Sequence, residues 1–193
     1  RVGLMTDHVP VNEVSQHLTA ALITQKIETI KKTLIQDFSI SKPKIAVLGL
    51  NPHSGDNGVI GKEEETIMKP AIKKLFEKGT LAFGPFSADG FFGSGQYEKY
   101  DAIIATYHDQ GLIPFKTLAF GKGVNYTAGL EKIRTSPDHG TAYDIAGKDK
   151  ADYHSFKEAV YLAIDIYHSR NQHAEISANP MKVKEKQEEK NNR

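Results

Sequence analysis

Hydrophobic and polar positions alternate along this chain with two different periods. Residues 2–6, 44–50 (KIAVLGL), 81–86 and 101–106 (DAIIAT) are short runs, mostly apolar, as strands covered on both faces are. Between the first two runs, Ile23, Ile27, Ile30 and Leu34 recur at spacings of four, three and four, which places them on one helix face. Residues 63–78 predict a second helix, with Pro70 either kinking it or opening a fresh first turn. Ser155 reads as the N-cap of a last helix over 156–174, with Phe156, Val160, Ala163, Ile164 and Tyr167 on its apolar side. A turn at 7–10 and a glycine-rich loop at 51–61 punctuate the pattern. From residue 175 the periodicity stops, and 175–193 reads as a flexible tail ending in the mixed-charge run KVKEKQEEKNNR. Strand–helix alternation predicts an α/β fold, a mainly parallel sheet with helices on both faces.

Charge and composition narrow the function classes. Lys and Arg total 25 against 24 Asp and Glu, so a net charge of +1 supplies no global field for nucleic acid or an acidic membrane. The apolar runs fall far short of the roughly 20 residues a membrane span needs. Zero cysteine removes disulfides, thiolate nucleophiles and Cys-ligated zinc, and fits a reducing compartment. The expectation is a cytoplasmic protein with neither nucleic acid nor membrane as partner. Arg1 stands where Met is usual and a strand follows at once, so the chain is expected to be part of a longer one.

Three of the eight histidines share one context. His8, His53 and His108 each follow an apolar strand within a few residues, at the sheet edge where open α/β folds bind ligands. Three neutral imidazoles converging there suit a divalent metal such as Zn, Co, Ni or Mn, acting as a Lewis acid. The alternative is three separate loop histidines, each bonded to its own turn. Histidines 17, 154, 168 and 173 lie on helical segments or their ends, where solvated or capping roles are expected. Neither GxGxxG nor GxxxxGK[ST] occurs, so the usual nucleotide motifs are missing. Lys116, Lys122 and Arg134 fall in a glycine-rich stretch and suit a phosphate or carboxylate, or else are solvated surface cations.

Four segments stand in order: Asn51-Pro52-His53-Ser54-Gly55, Tyr107-His108-Asp109-Gln110-Gly111-Leu112, Gly121-Lys122-Gly123-Val124-Asn125, and Ile133-Arg134-Thr135-Ser136-Pro137-Asp138-His139-Gly140-Thr141-Ala142. Together they resemble the metal-dependent, NAD-linked 4-hydroxythreonine-4-phosphate dehydrogenase family of pyridoxal phosphate biosynthesis. The continuation Tyr143-Asp144-Ile145-Ala146-Gly147-Lys148 is similar to the adenosine-binding loop of isopropylmalate and isocitrate dehydrogenases, whose fold that family shares. The match runs from His8 to about Ile166.

The resemblance implies that this is the C-terminal part of the enzyme, without a first α/β portion and its substrate-contacting His-Thr pair. It implies metal ligands at His8, His53 and His108, drawn from both subunits of a homodimer with the active site at the interface, around one divalent ion (Zn, Co, Mg, Ni or Mn). It assigns substrate contacts to Lys116, Asn125 and Arg134, acidic catalytic positions to Asp89 and Asp109, and NAD contacts to His139, Gly140, Ala142 and Asp144. Asp89 has the alternative of a helix N-cap. The implied chemistry is oxidation of a secondary alcohol on a small phosphorylated substrate, hydride transfer to NAD, and loss of CO2 from the β-keto acid. Residues 1–109 would then form a metal-binding and dimerisation α/β domain, and 110–155 cofactor and substrate loops of another domain. The alternatives are a dehydrogenase of a related 4-phosphorylated hydroxy acid or diol, or a non-catalytic metal-binding dimer module. Residues 91–96 are glycine-rich where the family has a firmer helix start, so a mobile loop is expected there.

Overall fold

The computed structural model describes residues 1–119 and 121–181. Four short strands, β1 (Val2–Leu4), β2 (Ile45–Leu48), β3 (Ala82–Phe86) and β4 (Ala102–Ala105), form one parallel sheet in the order β1-β4-β2-β3. Registers such as Gly3 opposite Ile104 and Ala46 opposite Ile103 bring the carboxyl ends of β1, β4 and β2 to one edge. Successive side chains of a strand face opposite ways, and the core divides accordingly. Ile45, Val47, Ala102 and Ile104 pack on one side, and Ala46, Leu48, Ile103 and Ala105 on the other.

Helices cover both faces, as the alternation predicts. The first face takes α2 (Ala20–Gln36), which follows the short α1 (Val14–His17), and α3 (Lys69–Glu77). Thr19 caps α2 by accepting from the Leu22 N–H at 3.1 Å. Ile23, Ile27 and Leu34 are fully or almost fully buried, each contributing roughly 2 kcal/mol of burial free energy. The second predicted helix opens with a π-type turn, Glu64–Met68, and becomes α-helical at Lys69, so Pro70 marks a fresh first turn.

The opposite face is covered by α4 (Ala88–Gly93) and α5 (His108–Leu118). In the glycine-rich 91–96 segment Gly93 and Ser94 are exposed, while the aromatic start is anchored. Phe91 is buried and stacks on Phe86 at 5.2 Å, with Tyr100 at 5.6 Å, and a 3-10 turn follows at Gln96–Lys99. Close approach of α5 requires Gly111: a Cβ there would lie 2.9 Å from both Ala105 Cβ and Leu4 Cδ2.

The stretch expected as loops contains α5 and an antiparallel hairpin, β5 (Val124–Tyr126) with β6 (Thr135–Pro137). The boundary expected after residue 109 falls inside the first turn of α5. The last helix, α6, runs over His154–Ser177, longer at both ends than the sequence suggests. Tyr153, not Ser155, is its N-cap; Ser155 instead donates to the Gly123 carbonyl at 2.9 Å. Its expected apolar side is also rotated. Phe156, Val160, Ile164 and Tyr167 are exposed, and Ala159 and Ile166 are the buried positions. The expected tail beyond Ser177 lies largely in 182–193, outside the described residues. Among those described, no helix is long and apolar enough to cross a membrane.

Candidate metal and substrate site

Three polar ties, one buried and two partly buried, join the strand ends behind the candidate site. Thr6 Oγ1 donates to the Thr106 carbonyl at 2.7 Å, linking β1 to β4. Gln110 accepts from Thr106 N at 2.7 Å and donates to the Gly49 carbonyl at 2.7 Å, linking α5 to the end of β2. The loops after β1, β4 and β2 therefore leave the sheet at fixed positions. Gln110 does this inside the YHDQG segment, a role that periodicity does not reveal.

His8 and His108 meet on this edge, with ring centroids 5.9 Å apart. One ligand atom from each, together with one from Asp7, fits within 4.8 Å. Asp109 Oδ1 lies 2.7 Å from His108 Nδ1, and Asp7 Oδ2 lies 3.3 Å from His8 Nδ1. The tautomer that suits a carboxylate acceptor carries its proton on Nδ1 and leaves the Nε2 lone pair for a cation. No motif or spacing singles out Asp7; its place beside His8 is the one signal of it in the sequence.

His53 is not in that group. Its loop forms a left-handed turn, in which His53, Ser54, Gly55, Asp56 and Asn57 all have positive φ between 42° and 80°. For each non-glycine residue that conformation costs roughly 1 kcal/mol or more, so neighbours must hold it. Ser54 Oγ donates to the Pro85 carbonyl at 3.0 Å, drawing the turn toward β3 and away from β1. There it packs against α4, whose first turn carries Asp89. Ser87 occupies the N-cap, so Asp89 is not the cap. The Ser87 hydroxyl, donating at 2.6 Å, holds the Asp89 carboxyl below its usual range, aided by the Gly90 N–H and, less, by His53.

The β5–β6 hairpin carries Asn125 and Arg134, two of the residues expected to contact substrate. Asn125 pairs with Ser136, and Thr127 N donates to the Arg134 carbonyl at 3.1 Å. Period two then puts Asn125, Thr127 and Arg134 on one face, and Tyr126 and Thr135 on the other. Asn125 and Arg134 are exposed, and Arg134 Nη1 donates to Thr127 Oγ1 at 3.0 Å. Thr135 Oγ1 donates to the Ala159 carbonyl at 2.8 Å, seating the inner face on α6. Lys116 is exposed on the last turn of α5, about 12 Å along the helix from His108. Lys116, Lys122 and Arg134 have no carboxylate partner among the described residues. The loop with His139, Gly140, Ala142 and Asp144 lies beyond β6. Ala142 is left-handed at φ 51°. His139 Nδ1 lies 2.9 Å from the Gly140 carbonyl, and the Asp144 carboxylate is exposed without a side-chain partner among the described residues.

Known proteins share this arrangement of elements. Residues 1–163 match the family model described as pyridoxal phosphate biosynthetic protein PdxA. The chain is 53% identical over 182 residues to 4-hydroxythreonine-4-phosphate dehydrogenase of Bacteroides thetaiotaomicron, covering 94% of this chain and 50% of that protein. The crystal structure of the Klebsiella pneumoniae enzyme of the same name superposes with a TM-score of 0.73 at 39% identity, covering 88% of this chain and 50% of that one. A terephthalate 1,2-cis-dihydrodiol dehydrogenase from Burkholderia xenovorans superposes with a TM-score of 0.69 at 28% identity, covering 86% and 52%. The chain spans about half the length of the curated relatives it matches.

Proposed function

The chain belongs to the PdxA family of pyridoxal phosphate biosynthetic proteins, and we propose that it works within a cytoplasmic, homodimeric, NAD- and metal-dependent 4-hydroxythreonine-4-phosphate dehydrogenase. The observation that carries this reading is the imidazole pair at the sheet edge, each Nδ1 turned to its own carboxylate. Two imidazoles beside a carboxylate fit a divalent cation, and favour Zn, Co, Ni or Mn over the harder Mg. His53 would complete the set for the pair on a second copy of the chain. Its displacement toward β3, away from His8, supports a site shared across a dimer interface.

When bound, a cation held by His8, His108 and the second copy's His53 would supply Lewis-acid polarisation of a secondary hydroxyl, and NAD would supply the hydride acceptor for its oxidation, with CO2 lost from the resulting β-keto acid. The chain's own residues grip and orient. Arg134 presents a planar fork to the phosphate, Lys116 a point charge, and Asn125 an amide on the same hairpin face as Arg134. Asp109 fixes the His108 ring, and Asp89, held ionised by Ser87, supplies negative charge beside His53. His139, Gly140, Ala142 and Asp144 would take the adenosine end of NAD, with the Asp144 carboxylate suited to ribose hydroxyls. In this reading 1–109 serve metal binding and dimerisation, and 110–155 serve substrate and cofactor.

The direct test is NADH formation from 4-hydroxythreonine 4-phosphate by the intact protein, with and without a chelator. Turnover that the chelator abolishes supports the proposal. Bound metal without turnover favours a non-catalytic module. The dihydrodiol dehydrogenase neighbour motivates a second reading, a related hydroxy acid or diol as substrate, which 53% identity against 28% makes the weaker one. Arg134→Ala is expected to raise KM for the phosphorylated substrate roughly 10- to 100-fold, the loss of a charge-assisted hydrogen bond of about 1.5–3 kcal/mol, with kcat little changed. Steady-state kinetics measure this; an unchanged KM returns Arg134 to the solvated surface.

A further inference from the structure

The left-handed turn that carries His53 is built around one carboxylate. Glu64, the first residue of the π-type turn, is completely buried. Its Oε1 accepts from the Asn51 backbone N–H at 2.7 Å, and its Oε2 accepts from Asn51 Nδ2 at 2.9 Å. Glu63 Oε2 takes the same Asn51 amide at 2.9 Å. Three glycines make room for this group. A Cβ on Gly55 would sit 2.7 Å from Glu64 Oε2, one on Gly49 3.2 Å from Glu64 Oε1, and one on Gly61 2.1 Å from Asn51 Nδ2. No cation pairs with Glu64 among the described residues, so its two oxygens act as acceptors for Asn51 alone.

We propose that Glu64 is a positioning residue for the metal site: through Asn51 it fixes the entry of the left-handed turn and so the place of His53. The inference rests on the reading of His53 as a metal ligand. Asn51 immediately precedes Pro52 and His53, so its backbone N–H and side-chain amide set the direction in which the turn leaves β2. Two donors converge on the carboxylate, so an amide in its place sets donor against donor at one of them. The strained φ values of 53–57 are retained only while neighbours over-determine them.

The test is cobalt(II) binding to the intact protein, followed by visible absorption and by calorimetry, with Glu64→Gln, Asn51→Ala, His53→Ala and the Glu64→Gln/Asn51→Ala pair. Glu64→Gln is expected to weaken cobalt binding about tenfold, in the range that outer-shell partners of metal ligands contribute. Asn51→Ala is expected to weaken it several-fold, and the double variant by less than the product, because both act through one contact. His53→Ala reports on the parent reading. If it leaves cobalt affinity unchanged, His53 is not a ligand, and its ligand role and the positioning role of Glu64 fall together. If His53→Ala abolishes binding while Glu64→Gln and Asn51→Ala bind like the unsubstituted protein, the ligand stands and Glu64 has no positioning role. Should Glu64→Gln not fold, Asn51→Ala decides: unchanged affinity there overturns the proposal.

Discussion

Arg170→Ala is expected to lower the unfolding free energy by about 3–5 kcal/mol, because it strands a buried carboxylate without its counter-charge. Asp37 ends α2 with its side chain 3% exposed, and a carboxylate at a helix C-terminus opposes the helix dipole. Arg170 on α6 compensates it with two bonds, Nε to Oδ1 at 2.6 Å and Nη2 to Oδ2 at 3.1 Å. The same guanidinium donates to the Tyr126 hydroxyl at 3.0 Å and to the Glu131 carbonyl at 2.7 Å. Tyr126 in turn donates to Asp37. One group thus ties α2, α6 and β5. Arg170→Lys should recover only part of the loss, because a point charge cannot satisfy both oxygens at once. Denaturant unfolding monitored by circular dichroism measures both; a change under 1 kcal/mol in Arg170→Ala would mean that the buried carboxylate finds other compensation.

The same knot carries a pH signature. Burial first, then the bond to and charge of Asp37, push the Tyr126 hydroxyl up to about 12, with Arg170 opposing. A folded pKa above the unfolded value of about 10 gives stability that is complete below pH 10 and lost as pH rises toward 12. Asp37→Asn is expected to bring the tyrosinate absorbance of Tyr126 in at lower pH. Because Tyr126 neighbours Asn125 in β5, loosening this knot also releases the face that presents Asn125 and Arg134.

The sheet and α2, the long helix on its first face, are legible in the sequence because their residues carry clear patterns: Ile45–Leu48 and Ala102–Ala105 are continuous apolar runs, and Ile23, Ile27 and Leu34 hold one stripe. The helix α5 is hidden because Gly111 and Pro114 interrupt it, yet Gly111 is there to let the helix touch Ala105 and Leu4. The hairpin strands, three residues each, are too short to show a period. On α6 the large residues mislead. The packed face is set by small Ala159 with Ile166 and Arg170, about a quarter turn from the aromatic stripe. Asp37 and Arg170 lie 133 residues apart, and no local pattern announces such a pair. The strand-end positions of the three histidines are readable. That His8 and His108 meet while His53 turns toward β3 depends on strand order and on the Ser54 and Glu64 bonds.

His108→Ala is expected to reduce divalent-cation affinity a hundredfold or more, beyond the 10- to 100-fold that outer-shell partners account for, while the apo protein melts within about 1 kcal/mol of the unsubstituted one. The ring is 42% exposed at the first residue of α5, so its removal leaves little cavity, and alanine is a good helix former. Asp109→Asn grades the effect. Its amide can still accept from Nδ1, but without the charge that makes the imidazole a stronger donor, so an intermediate loss is expected. His8→Ala should match His108→Ala, because the two rings line one candidate site and losing either breaks the imidazole pair. Titration calorimetry with cobalt or manganese, paired with thermal melts of the apo variants, separates ligand loss from misfolding. Unchanged affinity in both His8→Ala and His108→Ala would return these residues to separate loop histidines, each serving its own turn.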